Sequence, residues 1–179
     1  MEIENHIFKN LQFLKSPNFN DRPNQEEIRL IIIHSISLPP KKYGNKYVED
    51  FFLNKLSISD DKYFKEIKDL KVASHIYIKR DGEAIQFVPL NKRAWHAGES
   101  SFNGVSDCNN FSIGIELEGS VDDFYSEEQY KILIDITNEI IKKYPLIKKD
   151  CVVGHSDVSP GRKSDPGDRF DWKRFLEAL

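Results

Sequence analysis

Two histidines and an aspartate, remote from one another in the chain, are of the right types to hold a metal ion. His34 closes the apolar run Leu30-Ile31-Ile32-Ile33, and His155 follows Cys151-Val152-Val153-Gly154 in the same manner. Open α/β sheets carry ligands at the ends of their strands, so two imidazoles in equivalent places can converge. Asp165 lies ten residues beyond His155, in Lys163-Ser164-Asp165-Pro166-Gly167, where a tight loop can bring it back as a third donor. Two imidazoles, one carboxylate and an open fourth position suit catalytic Zn²⁺. From spacing alone a second reading stays open, and it is the commoner one: strand-end histidines that merely hydrogen-bond.

Other residues offer chemistry beside that set. Glu116 shares a strand face with Gly114, where a missing side chain would let a substrate backbone approach a carboxylate; the alternative is a solvent-facing charge on an edge strand. Lys163 is either a cation aimed at the same place or a solvated loop residue. Trp95 and His96 in Arg93-Ala94-Trp95-His96-Ala97-Gly98 either line a cleft or anchor a long loop to the core. His75 starts a strand and reads as structural. Gly154-His155-Ser156-Asp157-Val158 approaches the GxSxG elbow of serine hydrolases but lacks its last glycine. No GxGxxG, Walker-type loop or HExxH helix occurs, so nucleotide binding has no motif behind it and a metal site must be assembled from distant positions.

The elements that would position these groups follow from periodicity. Ile28 to His34 carries the consecutive apolar residues Leu30 to Ile33, the pattern of a strand covered on both faces, and Pro39-Pro40 forces a loop after it. A short helix is expected over 47–56. Two strands, 74–80 and 84–88, flank the hairpin signal Asp81-Gly82. Residues 89–110 read as a long loop. Residues 112–118 alternate strictly, with Ile113, Ile115 and Leu117 on one face and Ser112, Gly114, Glu116 and Glu118 on the other. The apolar spacing over 127–144 predicts a helix, with Ser126 and Gln129 as a capping box and Pro145 as its stop. A short buried strand over 151–154, a Gly/Pro-rich loop to 168 and a last helix over 172–178 capped by Asp171 complete the chain. Strands interleaved with helices, including one hairpin, give an α/β fold: a single domain with a central mixed β-sheet flanked by helices. Residues 1–27 are polar, broken by Pro17 and Pro23, and read as an irregular N-terminal arm, with one compact domain over 28–179.

The chain has 179 residues and a formal charge of −3, with 39% hydrophobic and 31% charged residues, as suits one globular domain. A near-balanced, slightly acidic chain lacks the positive field of a nucleic-acid binder. The longest purely apolar run, Leu30 to Ile33, is far short of the ~18–20 residues that span a bilayer. Neither nucleic acid nor membrane is therefore expected as a partner. The first residues, Met1-Glu2-Ile3-Glu4-Asn5-His6, have no basic or apolar region of a secretion signal, and Cys108 and Cys151 stand outside any CxxC spacing. Both features point to a cytoplasmic protein with free thiols.

Five segments carry a resemblance. Residues 33–40, Arg80-Asp81-Gly82-Glu83, Lys92 to Gly98, Asn110 to Gly119, and Gly154-His155-Ser156-Asp157 through Arg162-Lys163-Ser164-Asp165-Pro166-Gly167 closely resemble the cytoplasmic 1,6-anhydro-N-acetylmuramyl-L-alanine amidases. The likeness runs in order from about Ser16 to Trp172. It places the chain in the zinc amidase family that shares its fold with peptidoglycan recognition proteins and phage amidases. The resemblance implies one Zn²⁺ per chain on His34, His155 and Asp165, with Glu116 and Lys163 as the catalytic pair and Ser35, Lys71, Trp95 and His96 as substrate-binding residues. It further implies hydrolysis of the amide between anhydro-N-acetylmuramic acid and the L-alanine of the stem peptide, in cell-wall recycling, by a monomer acting on a small glycopeptide. A non-catalytic muropeptide binder and a phage-type amidase of polymeric wall are the alternatives. Three positions depart from the family: Ser35 is commonly Asn there, and Lys71 and Asp107 are commonly Arg. Lys71 keeps the charge without the bidentate fork, whereas Asp107 reverses the sign, so the departures bear on substrate preference rather than on the reaction.

Overall fold

The computed structural model describes residues 1–23 and 27–179. Four two-residue strands open the chain: β1 (Ile3–Glu4), β2 (Ile7–Phe8), β3 (Gln12–Phe13) and β4 (Phe19–Asn20). The segment expected to be an irregular arm is thus woven into the domain. Phe8 is buried in the core, with Ile3 and Leu11 packed against the same cluster. Further along, the Ser16 hydroxyl (2.6 Å) and the Asn18 amide (3.2 Å) both donate to the Phe52 carbonyl. Apolar residues at Ile3, Ile7, Phe8, Leu11 and Phe13 were the local signal, which two prolines and many charges obscured. Residues 24–26 of the predicted arm lie outside the described residues.

The continuous apolar run becomes β5 (Leu30–Ile36), which continues two residues beyond His34. After it come α1 (Tyr47–Phe52), α2 (Phe64–Ile67), β6 (Ile76–Ile78) and β7 (Ala84–Gln86). The expected long loop carries three further short strands, β8 (Arg93–Ala94), β9 (Ser101–Phe102) and β10 (Val105–Ser106). Then follow β11 (Ser112–Glu118), α3 (Glu127–Lys143), β12 (Val152–Gly154), α4 (His155–Val158) and α5 (Trp172–Glu177). The capping box forms as its spacing predicts: Ser126 Oγ accepts from the Gln129 amide, and the Gln129 side chain accepts from the Ser126 amide. Asp171 likewise caps α5 through the Arg174 amide.

One six-stranded mixed sheet runs in the order β12-β5-β11-β6-β7-β3. Strands β12, β5, β11 and β6 are mutually parallel, and β6 and β7 form the antiparallel hairpin. Because side chains alternate across a strand, the sheet has two chemically different faces. Ile31 and Ile33 of β5 and Ile113, Ile115 and Leu117 of β11 pack on one face against Leu133, Ile136 and Ile140 of α3 and against Phe175 of α5. The opposite face is split. Leu30 and Ile32 pack with Ala97, Cys108, Phe111 and Val158, whereas Tyr77 packs with Val48, Phe51, Phe52, Phe64 and Ile67 of α1 and α2. The polar face of β11 is not solvated: Ser112 and Glu118 are buried, because β11 is flanked by strands on both sides rather than standing at an edge. No helix among the described residues is long and apolar enough to cross a membrane.

Candidate active site and metal centre

Register alone brings the first two functional groups together. In the parallel ladder His34 of β5 is the partner of Glu116 of β11, and both side chains leave the face opposite α3. On the other side of β5, Gly154 of β12 pairs with Ile33, so His155 begins α4 level with His34. The sequence placed His155 at the head of a loop; it starts a four-residue helix instead, whose Asp157 side chain accepts from the Gly154 amide at 2.7 Å.

Asp165 is returned by three restraints on its loop. Its carbonyl accepts from the Ser156 amide at 3.0 Å, and the next carbonyl, of Pro166, accepts from the Tyr125 hydroxyl at 2.7 Å. Gly167 completes the turn at φ +92°, where a Cβ would lie 2.1 Å from the Val121 carbonyl oxygen. Only glycine meets both demands.

The result is a triangle of donor atoms. His34 Nδ1 and His155 Nδ1 are 2.9 Å apart, and Asp165 Oδ2 lies 3.2 Å from the first and 3.0 Å from the second. His155 Nε2 donates to the Ala97 carbonyl at 2.9 Å, which for a neutral imidazole leaves a lone pair on Nδ1. A lone pair, a carboxylate oxygen and a second imidazole nitrogen therefore face one another at close to the ~3.3 Å edge of a tetrahedral ligand set with bonds near 2.0 Å. This donor set fits a divalent cation.

The electrostatics agree with that fit. Burial lowers the His34 pKa to about 4, so the ring stays neutral, as a ligand must be. Burial alone would raise the Asp165 carboxyl, but the His155 and His34 rings beside it more than offset that and hold the group below the usual carboxylate range. Glu116 behaves in the opposite way. Burial first, and then repulsion from Asp165, push its carboxyl well above the ordinary value, against a smaller pull from Lys163. Its Oε2 is buried with no hydrogen-bond partner, the condition of a carboxylate poised to exchange a proton.

These groups form the floor of a cleft of about 460 Å³. Ser35, Trp95, His96 and Lys163 line it, as does the apolar wall of Phe51, Phe52, Tyr63, Ile67 and Leu70. Trp95 lines the cleft rather than packing in the core, and its indole donates to the exposed Asn20 of β4 at 2.8 Å. Lys71 does not line this cleft. It is exposed and borders a separate small depression with Asn54, Ile58 and Lys68, one residue out of phase with Leu70 and Val72. Asp107 borders another surface hollow with Ser106 and Pro160. Gly114 does not hold room for substrate, because the His96 ring already occupies that space, 2.4 Å from where a Cβ would stand.

Several positioning groups escaped the sequence reading. Arg162 donates to the carbonyls of Ala97 and Glu99, at 2.6 Å each, and so fixes the carbonyl that orients His155. Asn109 accepts from the amides of His96 and Ala97. Glu118 accepts from the amides of Gly44 (2.6 Å) and Arg80 (3.1 Å). Each works through backbone groups, which leave no mark on residue spacing. His75 is structural, as expected: its Nδ1 accepts from the Gly114 amide and its Nε2 donates to the Lys92 carbonyl.

Comparison with known proteins finds the same family by independent routes. The family described as N-acetylmuramoyl-L-alanine amidase matches residues 24–168. The 1,6-anhydro-N-acetylmuramyl-L-alanine amidase AmpD of Haemophilus influenzae is 48% identical over 178 residues, 99% of this chain and 97% of the relative. Among solved structures, a selenomethionine AmpD derivative superposes with a TM-score of 0.97 at 41% identity, covering 100% of this chain and 99% of its own. The N-acetylmuramyl-L-alanine amidase AmiD of Escherichia coli, solved with anhydro-N-acetylmuramic acid-L-Ala-D-γ-Glu-L-Lys, superposes at 0.62 with 29% identity over 85% of this chain and 57% of that one.

Proposed function

Because this chain belongs to the N-acetylmuramoyl-L-alanine amidase family, we propose that it cleaves the amide between 1,6-anhydro-N-acetylmuramic acid and L-alanine with His34, His155 and Asp165 as zinc ligands and Glu116 and Lys163 as the catalytic pair. The chain is an amide hydrolase, and release of the stem peptide from anhydro-muropeptides is its place in peptidoglycan recycling. The observation that carries the reading is the convergence of two imidazole nitrogens and a carboxylate oxygen within 3.2 Å of one another, beside Glu116, whose Oε2 is buried without a partner.

When bound, zinc supplies Lewis acidity, lowering the pKa of water toward ~7 and polarising a carbonyl. The protein's own groups handle the protons. Glu116, whose carboxyl burial raises above the ordinary value, takes a proton from the attacking water and passes it to the departing alanine amine. Lys163 sits on the cleft wall and supplies a cation to the oxygen that becomes negative as the carbonyl turns tetrahedral. The apolar wall of α1 and α2 excludes water from the uncharged parts of the glycopeptide.

The same reading takes the protein to be a cytoplasmic monomer acting on small, soluble fragments. Cys108 and Cys151 are both free thiols, which suits a reducing compartment. The test is to incubate the purified protein with anhydro-muropeptide and with intact sacculi, each with and without a strong chelator, and to identify the products by mass. Chelator-sensitive release of free peptide from the small substrate is the expected result. Release from sacculi alone would move the activity to polymeric wall, and release that survives chelation would sink the metal assignment.

A further inference from the structure

His34 and His155 are oriented by different kinds of partner. The remote nitrogen of His155 meets the Ala97 carbonyl, which can only accept, at 2.9 Å, and this contact is shorter than the 3.4 Å to the Arg162 guanidinium, so it selects the tautomer protonated on Nε2. The remote nitrogen of His34 meets another imidazole: His34 Nε2 and His96 Nδ1 are 2.9 Å apart, with the rings edge to face. An imidazole nitrogen accepts only if its ring carries its proton on the other nitrogen. His96 Nε2 lies 3.2 Å from the Ser112 hydroxyl, which can take that proton's hydrogen bond.

We propose that His96 is a positioning residue for the metal ligand His34: seated on Gly114 and held by Ser112, it accepts from His34 Nε2 and so keeps the His34 Nδ1 lone pair turned toward the ion. The inference rests on the zinc reading above, and it gives His96 a different role from the substrate contact that the sequence suggested. The seat is specific. A Cβ at Gly114 would meet three atoms of the His96 ring at 2.4–2.7 Å, so the bare strand backbone is what lets the imidazole lie there. His75 closes the other side, its ring edge-on to His96 at 5.6 Å, with both of its nitrogens already engaged by the Gly114 amide and the Lys92 carbonyl. His75 therefore does not compete for His96, and the route from ion to protein runs from His34 through His96 to Ser112.

The test exploits side-chain shape. The Oδ1 of asparagine can occupy the place of a histidine Nδ1, whereas leucine fills similar space with no acceptor. Zinc affinity is measured by competition with a chromophoric chelator, and Co²⁺ absorption reports the ligand geometry. Secondary structure and melting of the metal-free forms report the fold. His96→Leu is expected to weaken zinc binding by roughly 10–100-fold and to alter the Co²⁺ spectrum, while His96→Asn stays within about threefold of the parent. Should His96→Leu fail to fold, Ser112→Ala carries the test, with a several-fold loss of zinc affinity expected. Wild-type zinc affinity in whichever of the two folds overturns the proposal, and so does equal loss in His96→Asn and His96→Leu. An increase in KM with zinc affinity unchanged would return His96 to substrate contact. Failure of the parent protein to bind stoichiometric zinc would instead sink the metal reading itself, which the parent titration shows before any variant is made.

Discussion

On one side of the cleft, His34, Glu116 and His155 sit on or directly after three neighbouring parallel strands, and Asp165 is tied back to them through Ser156, Pro166 and Gly167. On the other side, Phe51, Phe52, Tyr63, Ile67 and Leu70 belong to or flank helices of six and four residues. The ladder that carries the polar wall sets its groups relative to one another, since moving one strand by a residue would turn its side chains to the opposite face. The helical wall has no such register, and Leu70 remains 52% exposed. Bond breaking needs atoms placed to within fractions of an ångström, whereas an apolar surface needs only area and shape. Substitutions in the polar wall should accordingly act on kcat and metal binding, and those in the apolar wall on KM.

The largest effect is expected from the ligand set. His155→Ala or Asp165→Ala should release zinc and bring hydrolysis down to background, as read by metal content and peptide release; either variant keeping both would break the polar side of the comparison. Glu116→Gln should retain zinc and lose roughly 10²–10⁴ in kcat. The same variant makes a pH prediction. Burial raises the Glu116 carboxyl on folding, so the folded chain binds that proton more tightly than the unfolded one. Stability of the metal-free protein therefore falls as pH rises from the ordinary carboxylate range through the raised value. Glu116→Gln should remove that loss, melting higher than the parent near neutrality and converging with it in acid; coincident melting curves at neutral pH would contradict the raised carboxyl.

Lys163→Ala should cost about 10²–10³ in kcat if its charge meets the developing oxyanion, with zinc retained. A rise in KM alone would make it a substrate-binding cation. The smallest effect belongs to the helical wall: Leu70→Ala should raise KM by less than about tenfold and leave kcat and zinc binding in place. A fall in kcat at constant KM there would show that the short helices help to set the reacting geometry, and the contrast between the walls would dissolve.

Much of this is legible in the sequence. The capping box at Ser126 and Gln129, the buried run ending near His34 and the alternation of 112–118 each report a local rule, and local rules act on adjacent residues. The same alternation left Glu116 ambiguous between solvent and site, because a strand does not record what lies beside it. Only the sheet order, with β11 between β5 and β6, turned its polar face inward. Gly114 shows the same division: its lack of a side chain announced a close approach, but the approaching group is the His96 ring and not a substrate. Lys71 was placed by resemblance near the substrate, while the short turn after α2 puts Leu70 and Val72 toward the cleft and the lysine outside it.

The sequence by itself determined the mixed α/β class, the main helix and the types of side chain available for metal and proton chemistry. Hydrophobic periodicity, caps and residue chemistry are properties of neighbours along the chain. The tertiary structure alone decided that His34 is Glu116's partner across the ladder, that Asp165 returns within 3.2 Å of both histidines, and that His96 stands behind His34. Those facts depend on pairing between segments separated by as many as 131 residues, and that choice is made by the burial of whole faces rather than by any local run of residues.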